Sequence, residues 1–235
     1  VGCVWGGFGY SSAPMLSFTL ANEPIVPGID SQPLTPIRDD TWLNSNPVNF
    51  QGIFSFPVSM PDTSHFFIVQ ANPGGDTCSL KVKSLPDKVP SMGGAFRIML
   101  LSCYSVDMDN VGVGQFIENM AERPDMMLFA GDQVYIDHPP LQQMPDTAAG
   151  LRQNISAKYQ RNWLSALTHQ KGLQNALTRA PTVCLPDDHE FWNNYPWTQF
   201  WKKGTAPSPT PTGRNNWDDA ARDLFQDFQL GRAPG

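Results

Sequence analysis

Hydrophobic and polar residues follow different rhythms in the two halves of the chain. The first half holds short segments rich in β-forming residues, separated by turn residues. The predicted strands are residues 15–21, 52–60, 65–71 and 78–85. In the last strand Leu80 and Val82 alternate with lysines, which is the period of a half-buried strand. The sequence NPGGD at residues 72–76 is typical of a hairpin turn. We therefore expect residues 1–86 to form a small all-β sandwich domain.

The second half alternates continuous apolar runs with segments of helical period. The apolar runs, predicted to be strands, are residues 96–103, 126–131 and 181–186. The predicted helices are a short one at 116–120, a longer one at 151–179 with a break at Gly172, and one at 217–230. This alternation indicates an α/β fold, and strands that are apolar throughout suggest a parallel sheet covered on both faces. Residues 87–95, which lack periodicity, are the predicted linker, and residues 96–235 the second domain.

The composition limits the classes of function. The chain has 235 residues, of which 40% are hydrophobic and 16% charged, with a formal net charge of −6. An acidic chain is a poor general binder of DNA or of anionic membranes. We therefore expect no nucleic-acid binding as the main role. No stretch approaches the roughly 18 apolar residues of a membrane span, and no signal peptide is visible in this sequence.

The cysteines give a limited indication of compartment. The four are Cys3, Cys78, Cys103 and Cys184, and none forms a CxxC pair, which argues against a zinc ribbon. Cys3 and Cys78 both lie in the first third of the chain. A disulfide between them would suit an exported protein, and spacing alone leaves that pairing open. We expect Cys184 to lie in the core and the protein to be exported, whether periplasmic, extracellular or on the cell surface.

Ionisable side chains follow each of the three predicted strands of the second half. Cys103 ends the first strand, Asp132 and Tyr135 follow the second, and the sequence DDHE at residues 187–190 follows the third. Ligand sites in such sheets lie beyond the carboxyl ends of the strands, so these groups are predicted to converge. Carboxylates suit hard cations, whereas a thiolate with a phenolate suits a more Lewis-acidic metal such as ferric iron or zinc.

Three motifs in order resemble those of the metallophosphoesterases, and in particular of the PhoD-like alkaline phosphatases. GDQVY at residues 131–135 matches the GDxxY motif, DDHE at 187–190 is the PhoD-like form of GNHE, and LLSC at 100–103 ends the first strand. The resemblance implies an α/β metallophosphoesterase-type sheet with flanking helices, preceded by the β-sandwich. It also implies a metal-dependent phosphomonoesterase or phosphodiesterase that acts on a small-molecule phosphoester through a metal-activated hydroxide.

The resemblance also implies a role for each matching residue. Asp132 would bridge two metal ions, and Cys103 and Tyr135 would bind the more acidic one, ferric iron. Asp188 would bind the second, calcium, with Zn²⁺ or Mn²⁺ as alternatives at either position. His189 would hydrogen-bond the phosphate or the leaving group. Asp132 and His189 are therefore the expected catalytic residues.

Each of these residues also has an ordinary structural interpretation. Asp132 can start a turn, Tyr135 can be a half-buried aromatic, and Cys103 can be an inert buried thiol. Three further residues, Asp187, Glu190 and Asp137, are candidates for orienting the metal ligands through hydrogen bonds without binding the metal themselves. His138, before two prolines, is expected at the surface.

The metal site is expected to be incomplete within this chain. Related enzymes complete their site with later histidines, including a GHxH-like motif, and this sequence has no histidine after His189. The remainder is expected on the same protein or on a second chain. The alternative is a non-catalytic interaction or scaffold protein that carries a degenerate phosphoesterase half.

Overall fold

The computed structural model describes twelve segments of the chain, and the statements below concern these alone. They are residues 2–8, 15–20, 32–33, 35–36, 48–55, 61–72, 77–88, 94–139, 144–163, 172–192, 195 and 211–229.

The first half contains seven strands in two antiparallel sheets. The strands are β1 Gly2–Phe8, β2 Met15–Leu20, β3 Gln32–Pro33, β4 Thr35–Pro36, β5 Val48–Ser55, β6 Ser64–Asn72 and β7 Thr77–Lys83. Their orders are β1-β5-β4 and β3-β2-β6-β7. The antiparallel pairing of β6 with β7 confirms the predicted hairpin, whose turn residues 73–76 lie outside the described residues.

The predicted sandwich is not supported beyond the presence of these strands. The four predicted strands are found, although β5 begins four residues before the predicted position, and β1, β3 and β4 were not predicted. The packing of the two sheets, the burial of Leu80 and Val82, and any bond of Cys3 or Cys78 lie outside the described residues. The domain division at 86 and the linker at 87–95 stay predictions.

The second half contains a three-stranded parallel sheet, as the apolar runs predict. Strands β8 Ile98–Leu101, β9 Met126–Ala130 and β10 Thr182–Leu185 lie in the order β10-β9-β8. Both pairings are parallel, and Leu100, Leu128 and Val183 share one row of the register. Helices α1 Val113–Glu118 and α2 Ala148–Trp163 lie between the strands in sequence, and α3 Pro211–Phe228 follows. These elements form a small α/β unit.

Two helix predictions require correction. The predicted break at Gly172 is confirmed, but the continuation as a helix to residue 179 is wrong, because the chain forms bends and turns there, with a 3-10 turn at Ala176–Thr178. The amide of Leu173 donates to the carbonyl of Asn162 at 2.9 Å, which brings the chain back to the end of α2. Helix α3 begins six residues before the predicted start, because Pro211 occupies its first position, where the missing amide costs nothing. No described helix has the length and apolar character needed to cross a membrane.

Helices α2 and α3 supply many of the buried side chains of the core. Met127 and Phe129 of β9 are fully buried, and the predicted face of α2 provides Ile155, Tyr159 and Trp163, all at most 2% exposed. The Phe129 and Trp163 rings stack with centroids 6.0 Å apart. The core therefore lies on one face of the sheet.

The opposite face is more exposed than the sequence suggests. Ile98 and Leu100 of β8 are 57% and 65% exposed, and Leu185 of β10 is 47% exposed. The expectation that both faces are covered is therefore wrong for these edge strands, as far as the described residues extend. An apolar run identifies hydrophobic positions, but it does not specify what covers each face.

A glycine makes a close approach between two strand ends possible. Gly131 follows β9 with a φ of 87°, a left-handed conformation that glycine adopts without steric cost. A Cβ atom at this position would lie 2.3 Å from the Cβ of Asp187 and 2.9 Å from its amide nitrogen. The loops after β9 and β10 therefore approach each other through this glycine.

We expect Gly131→Ala to lower the free energy of unfolding more than Gly112→Ala does. Both glycines have a positive φ, so each alanine costs about 1–2 kcal/mol in backbone strain. Only at Gly131 would the new methyl group meet backbone within 3 Å, which adds a further ~1–3 kcal/mol of overpacking. Urea denaturation of the two variants measures the difference, and equal losses would contradict the close approach.

Candidate metal centre

The three segments predicted to carry the site meet at the carboxyl edge of the parallel sheet. Beyond the strand ends, the amide of Cys103 donates to the carbonyl of Gly131 at 3.3 Å, and that of Tyr104 to Asp132 at 2.7 Å. The amide of Ile136 donates to the carbonyl of His189 at 3.1 Å. The loop after β9 is therefore bonded to the chain after both β8 and β10.

The carboxylate of Asp132 lies at the centre of this arrangement. Its Oδ2 atom accepts hydrogen bonds from the Cys103 thiol at 3.6 Å and from the Tyr135 hydroxyl at 3.5 Å. Its Oδ1 atom accepts from the backbone amide of His189 at 3.2 Å. Asp132, Asp188 and His189 each offer a ligand atom, all within 4.8 Å of one another. The structure thus brings the four predicted metal ligands together with His189, while their binding of a metal stays a prediction.

An unusual backbone conformation directs two of these side chains. Cys103 and Asp132 have φ values of 58° and 56°, and Gly131 between the strand and Asp132 has 87°. Left-handed conformations are uncommon for residues other than glycine, and aspartate tolerates them better than most. Strands β8 and β9 are therefore each followed by an abrupt change of backbone direction. This change brings the side chains of Cys103 and Asp132 together.

The side chain of Glu190 holds the two longer loops in place. Its Oε2 atom accepts from the amides of Asp132 and Asp187, each at 3.0 Å. Its Oε1 atom accepts from the amide of Gln133 at 2.7 Å and from Nε2 of Gln229 at 3.3 Å. Glu190 is fully buried. One carboxylate therefore bonds the chain after β9, the chain after β10 and the end of α3.

A second layer of buried amides supports this carboxylate. The side chain of Gln229 donates to Oε1 of Gln133 at 2.7 Å and accepts from the Tyr159 hydroxyl at 3.0 Å. Asn162 of α2 donates to the carbonyl of Gln133 at 3.0 Å and accepts from the amide of Val106 at 2.9 Å. Because buried polar groups are costly when unpaired, this network fixes the loops against both helices.

Asp137 orients the imidazole of His189. Nδ1 of His189 lies 2.9 and 3.0 Å from the two carboxylate oxygens of Asp137, and both side chains are mostly buried. The His189 ring also packs on the Tyr135 ring at 4.1 Å between centroids. Burial by itself would lower the pKa of His189, but the hydrogen bond and charge of Asp137, with Asp188 and Asp132, outweigh it and raise that pKa.

Lys158 of α2 supports the turn that carries Asp137. Its ammonium donates to the carbonyl of Ile136 and, at 2.6 Å, to the carbonyl of His138. Burial lowers the pKa of Lys158 to about 8, against the opposing charges of Asp137 and Asp107. The residues on both sides of Asp137 are therefore fixed to α2.

The electrostatics of the centre favour a cation. The pKa of Asp132 is raised mainly by burial and additionally by the charges of Asp188 and Asp187, although its bond from the His189 amide opposes the rise. Burial, with the charges of Asp132 and Cys103, raises the pKa of Tyr135 well above its usual value. Both shifts disfavour the ionised forms that metals bind, and a positive charge at this point would reverse them.

Several of the remaining predicted residues also have a defined place. Asp187 bonds Glu190 through its backbone, Cys184 is buried as predicted, and His138 is exposed as predicted. The sequence did not identify Gln229, Lys158 or Asn162 as supporting residues. All three lie in or beside helices far along the chain from the motifs they contact, so no local motif distinguishes them.

We expect Glu190→Gln to lower the free energy of unfolding by about 2–4 kcal/mol, because hydrogen bonds to a charged acceptor contribute about 1.5–3 kcal/mol each. Glutamine keeps one acceptor oxygen and would turn its own N–H groups towards donors. The matched control is Glu118→Gln, since Glu118 accepts one half-buried bond, from Asn175 at 2.9 Å. Urea denaturation compares the two, and a loss at Glu190 no larger than at Glu118 would show that Glu190 does not hold the loops.

A comparison with known protein families gives a match. A family model described as PhoD-like phosphatase matches residues 98–228, which include all three strands of the parallel sheet and the loops that carry the centre. No curated protein and no solved structure gives a match. The family match covers more than half of the sequence, and it includes the three sequence motifs at residues 100–103, 131–135 and 187–190. The chain therefore belongs to the PhoD-like phosphatase family.

Proposed function

We propose that this chain supplies the metal centre of a metal-dependent phosphoester hydrolase. Membership of a phosphatase family implies phosphoester hydrolysis, and therefore a small-molecule phosphoester as substrate. The observation that supports metal dependence is the placing of Asp132 within reach of the Cys103 thiol, the Tyr135 hydroxyl and the Asp188–His189 pair.

The residues present fit a pair of cations. Asp132 lies centrally and would bridge them, Cys103 and Tyr135 would hold one, and Asp188 would hold the other. Thiolate and phenolate favour a strongly Lewis-acidic ion, for which we propose ferric iron, while the carboxylates suit calcium, with Zn²⁺ or Mn²⁺ as alternatives. Bound cations would supply Lewis acidity to the phosphate oxygens and to the attacking water. They would also relieve the mutual repulsion of Asp132, Asp187 and Asp188.

His189 has the contacts expected of a proton-carrying group beside the phosphate. Asp137 accepts from Nδ1, so that Nε2 is the atom left to hold a proton for a phosphate oxygen or for the leaving group. The raised pKa of His189 favours that protonated form. Asp137 would thus fix the ring orientation, and Lys158 would fix the turn that presents Asp137.

Export remains part of this proposal. A disulfide between Cys3 and Cys78 would support it, and the change in mass on alkylation with and without reductant tests for that bond. Calcium as the second ion would be consistent with an extracellular or periplasmic setting.

We expect the iron-loaded protein to absorb visible light through charge transfer from the Tyr135 phenolate, and Tyr135→Phe to abolish the band while leaving the fold intact. The matched control is Tyr104→Phe, because the Tyr104 hydroxyl bonds Asp109 at 3.3 Å rather than Asp132. Absorption spectra of the three proteins at equal iron content decide the matter. A band that survives in Tyr135→Phe would remove Tyr135 from the ligand set.

We expect Asp132→Asn to reduce bound metal and hydrolysis together, because it removes the central negative charge that lets two cations lie close together. The measurements are metal content by mass spectrometry and turnover of para-nitrophenyl phosphate and its bis-ester, made on the whole protein. Asp146→Asn serves as the control for loss of a carboxylate, since Asp146 precedes α2 and lies outside the centre. The proposal fails if the metal-loaded protein hydrolyses neither ester and Asp132→Asn keeps its full metal content.

A further inference from the structure

A second group of metal-ligand atoms lies on the outer side of His189. Asp137, His138 and His189 each offer one ligand atom, and these atoms lie within 4.8 Å of one another. His138 is exposed, while Asp137 and His189 are mostly buried. This group shares only His189 with the centre around Asp132, and it therefore offers a separate position for an ion.

The spacing of Asp137 and His189 is close to that between two ligands of one zinc ion. Nδ1 of His189 lies 2.9 Å from the nearer oxygen of Asp137. Two ligand atoms of a tetrahedral zinc ion, each bound at about 2.0–2.2 Å, are separated by about 3.3–3.6 Å, so this pair would open by about 0.4–0.7 Å to take the ion. The 2.9 Å distance itself is that of a hydrogen bond. An ion site at this pair therefore depends on the third residue of the group, His138.

His138 lies against the site although it is exposed. Its ring contacts the Tyr135 ring edge-on at 5.3 Å between centroids and lies 5.8 Å from that of His189. The bond from Lys158 to the carbonyl of His138 fixes the backbone at this position. An exposed imidazole held in this position completes a set of two imidazoles and one carboxylate, which suits first-row transition metals rather than calcium or magnesium.

The local charge is compatible with a further cation. Asp137 belongs to the group, whereas Asp132 and Asp188, which form the other group with His189, are already assigned to the ions of the proposed centre. The positive charges nearby are those of Lys158 and Arg161. The carboxylate of Asp107, like that of Asp137, interacts favourably with the Lys158 ammonium. The charges of Asp137 and Asp107 therefore balance those of Lys158 and Arg161.

We propose that Asp137, His138 and His189 form an inhibitory site for a divalent transition-metal ion such as zinc. Binding would use Nδ1 of His189 and an oxygen of Asp137, replacing the hydrogen bond between them with two bonds to the ion. Asp137 would then no longer orient the ring through Nδ1, and the ion would hold the His189 ring in a new orientation. The inhibitory effect rests on the proposed function, whereas ion binding does not.

The binding test uses the whole protein loaded beforehand with its iron and calcium. Zinc is titrated against a chromogenic chelator, and we expect one zinc ion per chain beyond the loaded metals. His138→Ala should weaken that binding by about tenfold or more, since even supporting residues of metal sites account for about 10–100-fold in affinity. His138→Cys, which restores a zinc ligand, should recover part of it. The control is His65→Ala, because His65 lies on β6 in another sheet.

The inhibition test follows hydrolysis of para-nitrophenyl phosphate at increasing zinc, with each variant compared to its own rate without zinc. The zinc concentration for half inhibition should rise in His138→Ala by the same factor as the dissociation constant. Unchanged zinc binding in His138→Ala, or an equal loss in His65→Ala, would overturn the site. A protein that hydrolyses no phosphoester would instead refute the proposed function, and the chelator titration would still decide whether the ion binds.

Discussion

A carboxylate buried among backbone amides holds the rest of the centre together. Glu190 receives four N–H groups, from Asp132, Gln133, Asp187 and Gln229. Burial raises the pKa of Glu190, while the bonds from Asp187, Asp132, Gln133 and Gln229 act in the opposite direction and stabilise the ionised form. The charged side chain is thus solvated by the protein itself. Its position fixes the distance between the loop after β9 and the loop after β10, beyond the last paired residues of those strands.

The electrostatic character of the site follows from that fixed separation. The loop after β9 presents Asp132, the loop after β10 presents Asp187 and Asp188, and their charges raise the pKa of Asp132. In flexible loops such carboxylates would move apart into water. Here the buried amide network prevents that movement, so the arrangement keeps a concentration of negative charge at one edge of the sheet. Preorganisation of this kind favours a cation without requiring the loops to reorganise.

The sequence predicted that the ionisable side chains meet at one edge of the sheet, but it did not predict which residues hold the loops that carry them. Parallel strands place their carboxyl ends at one edge, so Cys103, Asp132 and Asp188 could be brought together from strand order alone. The bonds of Gln229 and Lys158 depend on how α3 and α2 pack, which no local pattern encodes. Gly172 was correctly predicted to interrupt the helix, but the helix expected to continue to residue 179 was wrong for the same reason, since a turn there is stabilised by the bond from Leu173 to Asn162. The continuous apolar run at residues 96–103 likewise identified β8 but did not reveal that Ile98 and Leu100 are exposed.

The left-handed backbone at Cys103 affects how this centre can change over evolution. With a φ of 58°, this position suits asparagine, aspartate or histidine better than cysteine. Exchange of the thiol for an oxygen or nitrogen ligand would therefore meet no conformational barrier, and would relieve a strain that the cysteine imposes. If Cys103 binds a metal ion as proposed, the ligand at this position could change between soft and hard donors while the backbone stays unchanged. A cysteine retained at this position would therefore be retained for its chemistry, although its left-handed backbone slightly lowers the free energy of unfolding. A single substitution here could change which metal ion relatives prefer.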